Sequence, residues 1–258
     1  MDAASAWHVA IPTYQRPNTL VAKTMRTLLG GGVDPARITV FVANADEARG
    51  YALALAPGSY RQIVVGAHGI HSARNAITAH YPDGARVVEI DDDIRAVKRR
   101  VGPKELQPVG DLAHLFDAAF AACARHGARL WGLYPVCNPM FMRTGYTLDL
   151  RAIIGTVCGR VVDKTQPPLR CAVKVDIERT LLYWRADGRV LRYGDLAPVQ
   201  NARTEPGGLQ TPGGRTLAAS EAAADYLVRT YPDLCVRAKP RKGGHAEVRL
   251  VQPKDPTP

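Results

Sequence analysis

The sequence predicts an α/β fold with a mostly parallel central sheet flanked by helices and a smaller, mixed C-terminal region. Three observations predict it. Short apolar runs alternate with helical spacing through the first 100 residues, the pattern of a parallel sheet with crossover helices. Two of those runs end abruptly in polar segments, Pro12 to Arg16 and Asp91 to Asp93, as strands do at a ligand-binding rim. The chain has 258 residues, 46% of them apolar, enough for one domain with a full core.

Trp7 to Ile11 reads as the first strand, stopped by Pro12. Thr19 to Leu29 has helical spacing, with Leu20, Thr24 and Leu28 on one side and Gly30-Gly31-Gly32 as the stop. Ile38 to Ala43 is a second strand, Ala45 to Ala54 a helix and Gln62 to Gly66 a third strand. His71 to His80 reads as a helix, and Arg86 to Ile90 as a fourth strand running straight into three aspartates. Asp111 to His126 is amphipathic, with Leu112, Leu115, Phe116, Ala119, Phe120 and Cys123 on one side. Arg129 to Val136, Ala152 to Val162 and Ala172 to Val175 read as strands, and Ile177 to Ala186 as a helix ending at Asp187-Gly188. A Gly/Pro-rich loop spans Glu205 to Gly214, followed by a helix from Leu217 to Thr230 and a last strand from Ala246 to Val251. Residues 1–100 and 101–258 thus read as two halves of a single domain.

Composition narrows the classes. The formal net charge of +10 points to a polyanionic partner, or to arginine enrichment alone. The five cysteines contain no C-x-x-C pair and read as reduced thiols rather than a disulfide or zinc framework. No run reaches the roughly 18 apolar residues that a membrane span needs. The N-terminus lacks the pattern of a signal peptide, so the expected location is the cytoplasm, a host cytoplasm if the chain is phage-encoded.

Three consecutive aspartates repel one another and call for a positive neighbour. In an extended segment Asp91 and Asp93 share one face, and oxygen ligands at that spacing suit Mg²⁺ or Mn²⁺ with positions left open for substrate phosphates. The competing reading is a solvated acidic turn.

Val9-Ala10-Ile11-Pro12-Thr13-Tyr14 with Arg16, then Ser72-Ala73-Arg74-Asn75, then Val88-Glu89-Ile90-Asp91-Asp92-Asp93 resemble, in order and spacing, the nucleotide-binding half of GT-A glycosyltransferases. The resemblance implies a Rossmann-like sheet. It also implies a metal-dependent, inverting transfer from a nucleoside-diphosphate sugar, with a UDP-sugar expected. Further on, Trp131 to Pro135 with Asn138-Pro139, Ile154 to Gly159, Val173 to Glu178 and Pro206 to Gln210 resemble the TET-associated, phage-type enzymes of that class. That resemblance implies an acceptor in DNA: the hydroxymethyl group of 5-hydroxymethylcytosine. A basic chain suits such a partner.

From the resemblance, residues 1–100 hold the donor, and 101–258 hold the acceptor and the catalytic base. Pro12, Thr13, Tyr14 and Arg16 belong to the donor loop, with Thr13 and Tyr14 near base and ribose. Arg74 and Asn75 lie beside the nucleotide, although salt bridging and backbone capping are open for them. Asp91 and Asp92 face the diphosphate, and Asp91 and Asp93 hold the metal with His245 as a late ligand. Asp176 is the expected base, with Glu178 sharing or orienting, unless Asp176 is only a helix cap. Gly207 and Gly208 form a flap near the diphosphate, flanked by Arg203 and Arg215, or an ordinary turn. Lys98-Arg99-Arg100 and the basic run from Arg237 to Lys242 are solvated faces or DNA phosphate contacts. Trp131, Tyr134 and Phe141 are candidates for stacking on an extruded base, with core packing the alternative. A non-DNA acceptor, and a nucleic-acid-binding module with a dead transferase site, are the competing functions.

Overall fold

The computed structural model describes residues 6–200, 216–240 and 243–253. Strands β1 (Trp7–Pro12), β2 (Ile38–Val42), β3 (Gln62–Val65) and β4 (Arg86–Ile90) lie side by side and parallel in the order β3-β2-β1-β4. The chain steps outward from β1 through β2 to β3 and then returns to the other side of β1. That reversal opens a crevice at the carboxyl ends of β1 and β4, where doubly wound sheets place their ligands.

Helices fill the crossovers. The first is α-helical over Pro17–Leu20 (α1), widens to a π-turn over Val21–Met25, and ends as α2 (Arg26–Gly30). Helix α3 (Ala45–Ala54) is capped by the Asn44 side chain, and α4 (Ile70–His80) leads into β4. The second half extends the same sheet. After β5 (Ile94–Arg100), β6 (Leu106–Pro108) and α5 (Leu112–His126) come β7 (Leu130–Gly132), β8 (Tyr146–Thr147) and β9 (Val157–Val161). Helix α6 (Val175–Asp187), β10 (Leu191–Tyr193), β11 (Leu196–Gln200), α7 (Leu217–Thr230), β12 (Cys235–Ala238) and β13 (Glu247–Leu250) complete the chain. The eight-stranded sheet runs β3-β2-β1-β4-β9-β7-β10-β8, four strands from each half, with β9 antiparallel to β4. Strands β11-β5-β6 make a small antiparallel sheet, and β12-β13 a hairpin.

Several strand boundaries differ from those the sequence suggested. Of Arg129 to Val136 only Leu130–Gly132 is paired, and of Ala152 to Val162 only Val157–Val161. Ala172 to Val175 is no strand. Cys171 and Val173 are buried in the cluster with α6 and α7 residues, and Val175 is buried as the first residue of α6, so alternating burial outside a strand imitates a ladder. Strands β5, β10, β11 and β12 escaped because basic and polar residues break their apolar pattern, as in Ile94–Arg100.

Helix α5 buries the apolar face read from its spacing, against a core that includes Trp7 and Trp131. Trp131 is wholly buried, which settles its role as packing. Gly159 makes room for it, since a Cβ there would lie 2.3 Å from the indole ring.

One ion-pair network crosses the layers. Glu89, in the middle of β4, has no exposed surface. Its Oε2 accepts from Arg74 of α4 at 2.6 Å and from Arg179 of α6 at 2.9 Å, and its Oε1 accepts from Arg160 of β9 at 2.6 Å. The three guanidinium groups hold its carboxyl well below the usual range against the opposing effect of burial. Removing the carboxylate would leave Arg160 and Arg179 without their ion-pair partner and Arg74 with Asp91 alone. Glu89→Gln is expected to cost about 3–5 kcal/mol, read as a lower urea midpoint. A loss under about 1 kcal/mol would show that the arginines find other partners.

Candidate active site

Strands β1 and β4 deliver the donor loop and the aspartate cluster to the same rim. Thr13 continues β1, its N–H bonding Phe41 O at 2.9 Å. Its Oγ1 donates to Asp92 Oδ2 at 2.6 Å and lies 2.6 Å from the Tyr51 hydroxyl. Tyr51 in turn accepts from the Arg16 N–H at 2.9 Å, and Arg16 Nη1 reaches Asp92 Oδ1 at 3.4 Å. Burial pushes the Tyr51 phenol up to about 12. Asp92 is thus a buried brace that ties the donor loop to the cluster. In this structure both Asp92 oxygens and the Thr13 hydroxyl are therefore engaged by the protein itself. Pro12 is buried as the last residue of β1. Tyr14 remains at the rim, packed edge-on against His68 with ring centroids 4.8 Å apart.

The aspartates do not extend the strand. Residues 92–93 turn, so the shared face expected of Asp91 and Asp93 in an extended segment does not apply. The π-turn explains how the bend is held: it presents Thr24, whose Oγ1 donates to Asp91 O at 2.7 Å and accepts from Ile94 N at 2.9 Å. Asp91 is the most open of the three, its side chain 35% exposed, whereas Asp92 and Asp93 are buried.

Arg74 is 2% exposed. Its Nη1 pairs with Glu89, and its Nη2 donates to Asp91 Oδ1 at 2.9 Å and to Gly155 O at 3.0 Å. It orients Asp91 from beneath, in the salt bridging that the sequence left open for it. Asn75 is also engaged elsewhere, its amide exchanging two 2.9 Å hydrogen bonds with the backbone of Leu169.

Asp176 joins the cluster from the other half of the chain. It lies in the first turn of α6 rather than after a strand, and the cap position belongs to Lys174. Lys174 and Gln15 have positive φ, 64° and 56°, and they are the two non-glycine residues with that geometry among those described. One sits in the donor loop and the other two residues before Asp176, so local strain flanks both sides of the site. Glu178 points elsewhere. Buried, it accepts from the N–H groups of Arg170 and Cys171 at 2.8–3.0 Å, which rules it out as a partner of the base.

The electrostatics reflect crowded acids. Burial pushes the Asp91 carboxyl up to about 7; Arg74 pulls it down, while Asp176, Asp93 and Asp92 push it further up. Asp176 is raised by burial against the pull of Arg74 and Arg179, and Asp92 is raised by burial against its bonds to Thr13 and Arg16. Such a cluster is short of positive charge, and its all-oxygen chemistry fits Mg²⁺ or Mn²⁺. The trio Asp91, Asp93 and His245 is not assembled: among the described residues no three metal-ligating side chains come together. One or two carboxylates plus substrate phosphates make a sufficient shell for these ions, so Asp91 and Asp93 fit without the histidine. His245 lies between β12 and β13, its Nδ1 buried without a hydrogen-bond partner.

Gly207, Gly208, Arg203 and Arg215 lie outside the described residues, as do Arg241 and Lys242. Within the basic strings, Arg99 pairs with Asp195 and Arg237 with Glu221 and Asp225, so part of that charge is matched internally.

The sequence reading passed over Glu89, Thr24, Tyr51 and Gly155. A glutamate inside an apolar strand was the available signal, because a buried carboxylate requires cations. Gly155 matters through contact: a Cβ there would lie 2.6 Å from Asp176 Oδ1 and 2.8 Å from Arg74 Nη2. Gly155→Ala is expected to displace both groups. Any turnover that depends on these two groups should fall by roughly 10²-fold, the usual cost of misplacing reacting groups, with the chain still folded by circular dichroism. Wild-type turnover in a folded variant would refute the tight packing.

No family model matches the sequence, and no curated protein matches it. Solved structures do match. Glucosyl-3-phosphoglycerate synthase from Mycobacterium tuberculosis, in complex with Mn²⁺, UDP-glucose and phosphoglyceric acid, aligns with a TM-score of 0.54 at 14% identity, over 92% of this chain and 86% of that one. A mycobacterial protein aligns with a TM-score of 0.55 at 14% identity over 97% and 84%. TarS from S. aureus aligns at 0.50 and 12% over 86% of this chain and 39% of the larger one. Identities this low carry the architecture and no more, and the architecture is clear: the chain has an α/β fold of the GT-A type, with a mixed, mostly parallel sheet flanked by helices.

Proposed function

We propose that the protein is a metal-dependent glycosyltransferase that moves a sugar from a nucleoside-diphosphate donor, a UDP-sugar, onto the hydroxymethyl group of 5-hydroxymethylcytosine in DNA. The observation that carries the transferase reading is the meeting of Asp91 and Asp176 around Arg74, at the crevice between β1 and β4. One acid belongs to the donor half and the other to the acceptor half, as a two-substrate transfer requires.

In this reading Tyr14 and Arg16 line the donor's nucleotide, and Asp91 and Asp93 hold the divalent ion. That ion offsets charge on the departing diphosphate. Asp176 accepts the proton of the acceptor hydroxyl as its oxygen bonds to the anomeric carbon and the bond to the diphosphate breaks, so the configuration inverts. Its raised carboxyl makes it a better proton acceptor than an ordinary aspartate. The synthase in complex with Mn²⁺ and UDP-glucose supports the donor and metal assignment by analogy of fold.

Three features support the DNA acceptor. They are the +10 charge, the resemblance of the second half to the phage-type enzymes, and the loop after β7, where Met140 and Phe141 are 68% and 58% exposed. Phe141 is available to stack on an extruded base, as Trp131 is not.

Incubation with Mn²⁺, a panel of nucleotide sugars and DNA bearing cytosine or 5-hydroxymethylcytosine, followed by digestion and mass spectrometry, tests the reading. A hexose-sized gain confined to 5-hydroxymethylcytosine is expected, abolished by EDTA. Donor hydrolysis without DNA modification would move the acceptor elsewhere. Asp176→Asn should lower turnover roughly 10²–10⁴-fold with little change in donor affinity. Unaltered activity in both Asp91→Asn and Asp93→Asn would remove the metal from the mechanism.

A further inference from the structure

Between α4, α6 and the loop after β9, the described residues line a partly open cavity of about 370 Å³ whose lining includes none of Tyr14, Arg16, Asp91, Asp93 and Asp176. That is within the size range of small-molecule sites. Arg160, Arg179, Lys164 and Gln166 line it, facing an apolar wall that includes Pro168 and Leu182. Two of its donors are orphans. Arg179 is 94% buried, and its Nη2 has no hydrogen-bond partner; Gln166 Nε2 is also buried and unpartnered. Buried donors are seldom left unpaired, so two in one cavity indicate a missing acceptor.

The cavity's charge defines that acceptor. Arg160 and Arg179 share the single carboxylate of Glu89, and Lys164 adds a third cation, its Nζ only 3.4 Å from a neutral carbonyl, that of Ala79. The one acid in the lining, Asp163, is already paired with Arg129 at 2.7 Å. Asp176 offsets some charge around Arg179, but it is not part of the lining. We infer that this cavity is a binding site for a small organic phosphate, its phosphoryl oxygens taken by Arg179, Gln166 and Lys164 and its apolar body lying against Pro168 and Leu182. Guanidinium groups favour tetrahedral oxyanions, and the apolar wall gives an ester an advantage over the free ion. The loop that closes the cavity is clamped to α4 by Asn75, which gives that residue a role the donor site does not.

Titration of the full chain by calorimetry, in EDTA and without nucleotide, with phenyl phosphate, inorganic phosphate and phenol tests this site. Phenyl phosphate should bind more tightly than inorganic phosphate, and phenol should not bind. The double variant Lys164→Met, Gln166→Leu should weaken phenyl phosphate about tenfold or more, as should Leu182→Trp, which fills the cavity. Circular dichroism identifies the variants that fold, and either one suffices. Absence of binding to the wild type would mean that the cavity holds only water. Unchanged affinity in a folded variant would place the phosphate elsewhere. Either result overturns the inference.

Discussion

A carboxylate fixed at the centre of the sheet governs the geometry of the site. Glu89 is out of contact with water and holds guanidinium groups from α4, β9 and α6 at once. Buried ion pairs are not reliable sources of stability, because desolvation offsets much of their attraction. Their effect here is on register. Three elements from separate parts of the chain can satisfy one carboxylate in few arrangements, and the observed one aims Arg74 at both Asp91 and Gly155. Asp176 then packs against the same glycine. Asp91 and Asp176 are therefore positioned by the same buried arginine and glycine.

The backbone contributes the rest of the positioning. The π-turn places Thr24 under the aspartate bend, and the strained residues Gln15 and Lys174 stand beside the donor loop and Asp176. Positive φ in a non-glycine residue costs of order 1 kcal/mol and persists only where surroundings over-determine it. Tyr51, hydrogen-bonded to both Thr13 and Arg16, supplies such surroundings for the donor loop. Asp92 does so from the opposite side, so the middle aspartate of the cluster acts as a structural member.

The first four strands were legible because each is built on a short apolar run between polar or glycine-bearing segments. The second half was less so. Its strands are short and antiparallel, carry charge, and pair with partners distant in sequence, as β11 does with β5. In the site, residue types were readable but directions were not. The triplet of aspartates marked the place, yet only coordinates separate Asp91, which is open, from Asp92, which is bound on both oxygens. Asp176 and Glu178 are two residues apart in one helical turn and point to different neighbours: one to Arg74 and Gly155, the other to a loop backbone. Arg74 and Asn75 stand side by side in one motif, yet Arg74 is buried in ion pairs with Glu89 and Asp91 while Asn75, only partly buried, bonds the backbone of Leu169.

The charge pattern along β5 explains how an acidic centre and a basic surface coexist. The strand leaves the aspartate bend at Ile94 and reaches Lys98-Arg99-Arg100 within seven residues. At about 3.3 Å per residue, Arg99 stands some 20 Å from Asp93, roughly two Debye lengths at physiological salt. Cations at that distance do little to neutralise the acids, whereas Arg74 and Arg16 pair with Asp91 and Asp92 directly. Arg100 instead donates to the carbonyl of Pro139, in the loop that exposes Met140 and Phe141. The same strand therefore links the acid end of the crevice to a basic, partly apolar surface.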